Sequence, residues 1–143
     1  MTTTNPSLAD LLQHFTSPNN DIRHEAEKYY NSLLQTSPDE VVIGLMQIMA
    51  NEQIPFHIRQ LAAILLRRCL IDEEDSYYFK LQLQSRHYVI NEISRLLLQE
   101  QNTAIRIKIT DIAGELGGSI LEPKDWPNLY PTMIQLCNSG NPA

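Results

Sequence analysis

The sequence predicts an all-α fold in which helical hairpins are stacked in layers. The strongest observation is the segment 56–70, FHIRQLAAILLRRCL, which is apolar around most of a helix. One stripe of it holds Ile58, Ala62, Leu65 and Cys69, with Leu61 and Leu66 beside them. Gln60 and Arg67 lie almost opposite, in a narrow polar strip. Because such a helix must be covered on several sides, it fits the middle of a layered stack.

The second observation is that weaker helical periodicity flanks this segment on both sides. Seven predicted helices of about 12 to 17 residues would cover roughly 70% of the chain, against about 30 to 35% in typical globular proteins. The hydrophobic content of 43% and charged content of 20% are ordinary for a single soluble domain. The net charge of −6 argues against a nucleic-acid-binding face and favours basic partners.

The cysteines and the first residues of the chain indicate a cytosolic or nuclear protein. Cys69 and Cys137 are far apart and both lie in helical apolar patterns, so we expect reduced core thiols. The opening MTTTNPSLAD has neither a basic nor a long apolar segment, and no later run approaches the ~20 apolar residues of a membrane span. We therefore expect a protein that is neither secreted nor inserted in a membrane.

The first two helices are predicted from their apolar stripes. The first begins at Ser7 and ends before residues 17–20; its stripe is Leu8, Leu11, Leu12 and Phe15. The second covers about residues 21–35 and is expected to bury Ile22, Ala26, Tyr29 and Leu33. Its opposite face carries His24, Lys28 and Asn31.

The third helix has a clear start signal. Ser37 is expected to be the N-cap, with Pro38 at the first helical position and Glu40 closing a capping box. Its predicted core residues are Val41, Val42, Leu45, Ile48 and Met49. Pro55 then separates it from the central helix.

A run of four carboxylates at residues 72–75 follows the central helix. It lacks the alternating oxygen ligands and the turn glycine of an EF-hand, so we interpret it as a solvated acidic turn. Tyr77, Tyr78 and Phe79 are expected to pack this connection onto the helices.

Two more helices follow, at residues 84–99 and from Thr103, which is expected to cap its helix. The first is predicted to bury Val89, Ile90, Ile93, Leu96 and Leu97; the second to bury Ile105, Ile109, Ile112, Ala113, Leu116 and Ile120. The far side of the second carries Ile107, Asp111, Gly114 and Gly118. The GELGG segment lacks the Lys and Ser/Thr of a phosphate loop, and we expect its glycines to reflect close helix packing or fraying.

A seventh helix starts near Trp126, with apolar positions at Leu129, Met133, Ile134, Leu136 and Cys137. The helices form pairs, and the second member of each pair opens alike: Ile22-Arg23, Ile58-Arg59 and Ile105-Arg106. These openings are 36 and 47 residues apart. A helical unit of about 40 residues with this opening is typical of a HEAT repeat.

The predicted architecture is therefore a HEAT-repeat α-solenoid, a right-handed superhelical stack of antiparallel helix pairs. Residues 1–143 form one region with about three and a half repeats, at about 7–35, 37–71 and 83–121, with a half repeat at 125–138. Because the seventh helix has no partner, we expect an N-terminal piece of a longer solenoid.

Three segments in register resemble the N-terminal region of the importin-β superfamily of nuclear transport receptors. They are AEKYYNSLL, IRQLAAILLRRCL and WPNLYPTMIQLC, and the likeness spans about residues 8–137. The pattern RQ-x-AA-x-LLRR-x-L, with its acidic loop and the later DIAGEL, is similar to the importin-5 branch. The loop at about residues 72–80 departs from that pattern.

The resemblance implies an arch in which the second, or B, helix of each pair lines the concave surface. Ran in its GTP form would bind there and release cargo proteins that carry basic nuclear localisation signals. FG nucleoporins would bind through repeats further along. The receptor would shuttle between cytoplasm and nucleus, with no cofactor, no direct nucleic-acid contact and no membrane insertion.

The residues themselves supply a candidate surface on the B helices. It consists of His24, Lys28 and Asn31; Gln60, Ile64 and Arg67; and Ile107 and Asp111. Exposed isoleucines among polar groups suit a protein partner better than solvent. The alternative is that Ile64 and Ile107 pack against a further helix.

An enzyme is not supported by the sequence. The four histidines follow no HExxH or paired-cysteine spacing, and no apolar cleft is predicted around the glutamates. The competing class is a HEAT scaffold or adaptor, such as a phosphatase regulatory subunit. A scaffold would be indifferent to the nucleotide on Ran.

Overall fold

The computed structural model describes residues 7–71 and 77–120, together with Trp126, Pro131, Thr132, Ile134 and Gln135. The α-helices are α1 (Leu8–Phe15), α2 (Asn20–Thr36), α3 (Pro38–Ala50), α4 (Phe56–Ile71), α5 (Leu83–Gln99) and α6 (Thr103–Glu115). A 3₁₀ turn at Tyr78–Lys80 precedes α5, and a π-helical turn at Leu116–Ile120 follows α6. These residues include no strand, which confirms the all-α prediction.

The helices form two layers of a helical repeat, as predicted. Helix α1 pairs with α2, α3 with α4, and α5 with α6. The first members α1, α3 and α5 lie against one another in succession, and α4 lies against α6. Helix α4 also contacts α1, so it has the neighbours on several sides that its apolar circumference requires. The exact repeat boundaries stay a prediction.

The first pair is stacked differently from the others. Helix α2 packs along α1 and α3 rather than lengthwise along α4. It meets α4 where the Tyr30 hydroxyl lies 3.5 Å from Cys69 Sγ. The Tyr30 ring also contacts Phe15 edge to face, and burial raises the pKa of its hydroxyl. The prediction that Tyr29 is the buried tyrosine of α2 is therefore wrong, because the packed side of α2 is centred on Ala26 and Tyr30.

One contiguous core runs through the three helix pairs, from Leu12 in α1 to Trp126. The predicted stripes of α3, α4 and α5 are buried, including the free thiol of Cys69. In α6 the predicted core residues from Ile105 to Leu116 are buried as well. Among the described helices, none is both long and apolar enough to cross a membrane.

Two predicted capping interactions differ in the structure. Ser37 is the N-cap of α3 and Pro38 is its first residue, as predicted, but Ser37 makes no side-chain capping bond, so the predicted capping box with Glu40 is wrong. Its N–H donates to the Leu33 carbonyl while its own carbonyl accepts from Val41. Thr103 is the first residue of α6, and Asn102 is the cap: its Oδ1 accepts from the Ile105 N–H at 3.1 Å.

Close packing does not explain Gly114 and Gly118 of the GELGG segment. A Cβ added at Gly114 or Gly118 would meet nothing within 4 Å. The chain widens here into the π-helical turn that ends α6. Close approach is instead seen at Gly44 in α3, where a Cβ would lie 2.7 Å from Leu8 Cδ2 of α1.

The connection from α4 to α5 is anchored by Tyr78 and Arg86. Tyr78 is buried, whereas Phe79 is exposed, so the packing prediction holds for the first and not for the second. The Arg86 guanidinium lies over both rings and donates to the carbonyls of Phe79 and Leu81. The acidic run at 72–75 lies outside the described residues, and its interpretation stays a prediction.

The half repeat falls mostly outside the described residues, including Leu129, Met133, Leu136 and Cys137. Trp126 is buried, and its Nε1 donates to Ser94 Oγ at 3.0 Å, which places it against α5. Ile134 is exposed.

A buried ion pair joins the second helix pair to the third. Arg59, at the start of α4, donates through Nε to the Met49 carbonyl at 2.8 Å and through Nη2 to Glu100 Oε1 at 2.6 Å. Glu100 Oε2 accepts from the Asn102 N–H at 3.1 Å. Arg23 has a related role in the first pair, because its Nη1 donates to the Ser17 carbonyl. At these two repeats, the arginine after isoleucine therefore bonds to a backbone carbonyl at or just after the end of the first helix of its pair.

Emptying the centre of the core should be costly. We expect Leu65→Ala to lower the free energy of unfolding by about 2–5 kcal/mol, the usual cost of truncating a buried leucine. Gln60→Ala, on the polar strip of the same helix, should change it by less than about 0.5 kcal/mol. Urea denaturation of both variants checks this. Equal unfolding midpoints of the two variants would show that the assignment of buried and polar sides around α4 is wrong.

Breaking the buried ion pair should be more damaging than breaking an exposed one. Glu100→Gln keeps the shape of the side chain and leaves the Arg59 charge buried without its counter-charge, which should cost about 3–5 kcal/mol. The matched control is Glu115→Gln, which alters a half-exposed ion pair and should cost less than about 1 kcal/mol. Urea unfolding curves of the two variants would contradict this if their midpoints coincided.

Candidate protein-binding surface

The structure places all eight predicted site residues at the surface of the B helices α2, α4 and α6. His24, Lys28, Asn31, Ile107 and Asp111 are exposed, and Gln60, Ile64 and Arg67 are half-buried. Ile107 is 57% exposed, so no helix in the described part of the chain covers it. Ile107 therefore has the exposure that a binding surface requires, and its role as a site residue stays a prediction.

Helical geometry explains why these residues share a side. On α4 the stripe of Ile58, Ala62 and Leu65 is buried, which leaves Gln60, Ile64 and Arg67 on the opposite strip. On α6 the buried stripe of Ile105, Ile109 and Ile112 leaves Ile107 and Asp111 exposed. Because α4 and α6 lie side by side, their two polar strips are neighbours.

An ion pair bridges the two strips. Arg67 of α4 donates through both Nε and Nη2 to Glu115 Oε1 of α6, with Nε at 3.1 Å. The two side chains are 43% and 40% exposed, so solvent screens their attraction. Arg67 is therefore one half of a cross-helix contact, and its charge is balanced by that of Glu115.

Glu115 was missed by the sequence analysis, although a signal was available. It lies four residues after Asp111 and eight after Ile107, so it continues the same exposed stripe of α6 by one turn. What periodicity could not supply is its contact with Arg67, which is 48 residues away in the chain.

The three residues on α2 form a separate part of the surface. Helix α2 packs mainly on α1 and meets α4 at the Tyr30–Cys69 contact, so its exposed strip is tied less closely to that of α4 than the strip of α6 is. Lys28 is exposed, and the described residues include no ion-pair partner for it.

We use the name α4–α6 strip for Gln60, Ile64, Arg67, Ile107, Asp111 and Glu115.

The described residues contain no group of three or more His, Cys, Asp or Glu side chains placed to hold a metal ion. His14, His24, His57 and His87 are all exposed and lie on four different helices or helix ends. What the α4–α6 strip offers chemically is a mixed apolar and charged surface, which is suited to binding another protein.

Comparison with known proteins shows a similarity to a yeast importin. The chain is 29% identical to importin subunit beta-3 of Saccharomyces cerevisiae over 150 aligned positions. The alignment covers 96% of this chain and 13% of the yeast protein, so the chain spans about an eighth of that relative's length. No family model matches the sequence. The similarity extends over all three helix pairs.

The bridge between α4 and α6 should contribute little to stability. A double-mutant cycle of Arg67→Ala and Glu115→Ala should give a coupling energy of about 0.2–1 kcal/mol, as for other solvent-exposed pairs. The coupling should fall in 1 M salt, where the screening length is only about 3 Å. A coupling above about 2 kcal/mol that resists salt would mean that the pair is shielded from solvent.

Proposed function

We propose, starting from the similarity to yeast importin subunit beta-3, that this chain is the N-terminal region of a nuclear transport receptor of the importin-5 type. In this proposal its B-helix face binds Ran in the GTP form and so controls the release of cargo. Support comes from the stacked helix pairs, from the similarity along 96% of the chain, and from the AEKYYNSLL, IRQLAAILLRRCL and WPNLYPTMIQLC segments.

The observation that carries the proposal is the α4–α6 strip. Ile107 is largely exposed and Ile64 partly so, and both lie on the side of these helices that bears the Arg67–Glu115 bridge. Protein interfaces combine an apolar centre with a polar rim in this way. Covering the exposed isoleucine with a partner would be favourable, because burying apolar surface is worth about 25 cal/mol per Å².

The polar residues take different roles in the proposed complex. Gln60 and Asn31 supply hydrogen bonds, and the free charge of Lys28 favours approach of an acidic surface. His24 and Asp111 contribute to the rim. Arg67 contributes little net charge to the surface, because Glu115 already neutralises it. A partner must either bind with this ion pair intact or provide a group that replaces Arg67 or Glu115 in it.

Further parts of the proposal concern the rest of such a receptor. Cargo proteins with basic nuclear localisation signals and FG nucleoporins would bind repeats other than the three described pairs. The receptor would move between cytoplasm and nucleus. These partners follow from the resemblance to importins.

Binding to Ran tests the proposal. We expect residues 1–143, placed in yeast importin subunit beta-3 instead of its matching segment, to bind Ran-GTP and not Ran-GDP. Ile107→Ser in this chimera should weaken binding to Ran-GTP at least fivefold, because it removes apolar contact at the centre of the surface. Leu83→Ser is the matched control, since Leu83 is 64% exposed at the start of α5. Surface plasmon resonance supplies both affinities.

Two further outcomes decide between receptor and scaffold. Lys28→Glu should lower the association rate and its salt dependence more than the dissociation rate, as charge at a rim usually does. Binding that is equal for both nucleotide forms, or absent while the unaltered yeast protein binds, would favour the scaffold. Equal losses for Ile107→Ser and Leu83→Ser would show that the surface is misassigned.

A further inference from the structure

A second surface feature lies between α1 and α2, away from the α4–α6 strip. It is an open cavity of about 470 Å³. Its apolar lining includes Leu11, Ile22 and Tyr29, and its polar lining consists of His14, Asp21 and Glu25. The volume falls within the ~300–1,000 Å³ that is common for ligand sites, so it can hold a few side chains. We call it the α1–α2 groove.

The floor of the groove is apolar but is not part of the main core. Leu11 is buried, yet it lies outside the contiguous core that begins at its neighbour Leu12. Ile22 was expected to be buried and is 41% exposed. The apolar side of the first helix pair is therefore only partly covered by the described residues.

The rim of the groove carries two carboxylates one helical turn apart. Asp21 and Glu25 are both exposed on α2. In the part of the chain that the structure describes, neither side chain has an ion-pair or hydrogen-bond partner. Two unpaired negative charges beside an apolar floor are complementary to a ligand that presents a cation next to an aliphatic group.

The groove is distinct from the B-helix face. At 100° per residue, Asp21, Ile22, Glu25 and Tyr29 are centred roughly 110° around α2 from His24, Lys28 and Asn31.

We propose that the α1–α2 groove binds a short segment of a partner protein in which an aliphatic side chain adjoins a lysine or arginine. The aliphatic side chain covers Ile22 and Leu11. The cation lies between the Asp21 and Glu25 carboxylates, where it forms the ion pairs that these residues lack within their own chain.

Fluorescence anisotropy tests the groove with a short labelled peptide of leucine, alanine and lysine. The double variant Asp21→Asn and Glu25→Gln should weaken its binding to the 143-residue chain about tenfold. The matched control, Glu27→Gln and Glu40→Gln, removes the same two charges from exposed positions of α2 and α3 outside the groove and should change binding less than twofold. Circular dichroism verifies that both variants keep their helices.

Peptide variants separate the two parts of the recognition. Replacing the lysines with glutamate, or the leucines with serine, should each abolish measurable binding if both the rim and the floor are used. Equal losses in the two protein variants would show that the peptide responds only to net charge and would overturn the proposal. It would also be overturned if sedimentation showed self-association that Ile22→Ser abolishes, because the occupant would then be a second copy of the chain.

Discussion

The buried ion pair of Arg59 and Glu100 is the interaction on which the arrangement of the second and third helix pairs depends. It connects the end of α3, the start of α4 and the turn between α5 and α6. Removing two charges from water is expensive, and the cost is offset here because both side chains make additional hydrogen bonds to the backbone. Within the described residues, no fully buried side-chain nitrogen or oxygen lacks a partner. The pair therefore favours one register of α4 against the third pair, and that register brings the α4–α6 strip together.

Apolar periodicity was sufficient to predict the properties of single helices. The buried stripes of α3, α4 and α5 follow from spacing alone, since a helix with one apolar side has only one way to face a core. Arg59 could be recognised as part of a repeated Ile-Arg opening, but not as buried, because its counter-charge lies 41 residues further along. The burial of Tyr30 and the missing capping box at Ser37 could not be predicted for a related reason: both depend on how α2 meets its neighbours, which spacing within one helix does not contain.

On the candidate surface, too, the properties of single helices could be predicted and the contacts between helices could not. The exposure of Ile107 and Asp111 was predictable from their position opposite the core of α6. The pairing of charges on the surface could not be predicted, because Arg67 and Glu115 come into contact only when α4 and α6 are stacked. The α1–α2 groove escaped prediction altogether, since the expectation of a buried Ile22 assumed a neighbour on that side of α2. Sequence patterns thus identified which residues face outward, and the stacking of helices decided which of them act together.

Helices α2 and α3 are joined by a single residue, Ser37. The direction of α2 relative to α3 depends on two backbone torsions, φ −143° and ψ 60°. Helix α2 has 17 residues, so it extends about 25 Å from that link at 1.5 Å per residue. A change of about 10° at Ser37 would carry the far end of α2, with the groove beside it, through about 4 Å. Such a change would also have to move α1 against α3 and α4 and to break the Tyr30–Cys69 contact, so these contacts, rather than the link itself, fix the curvature of the solenoid at its first repeat.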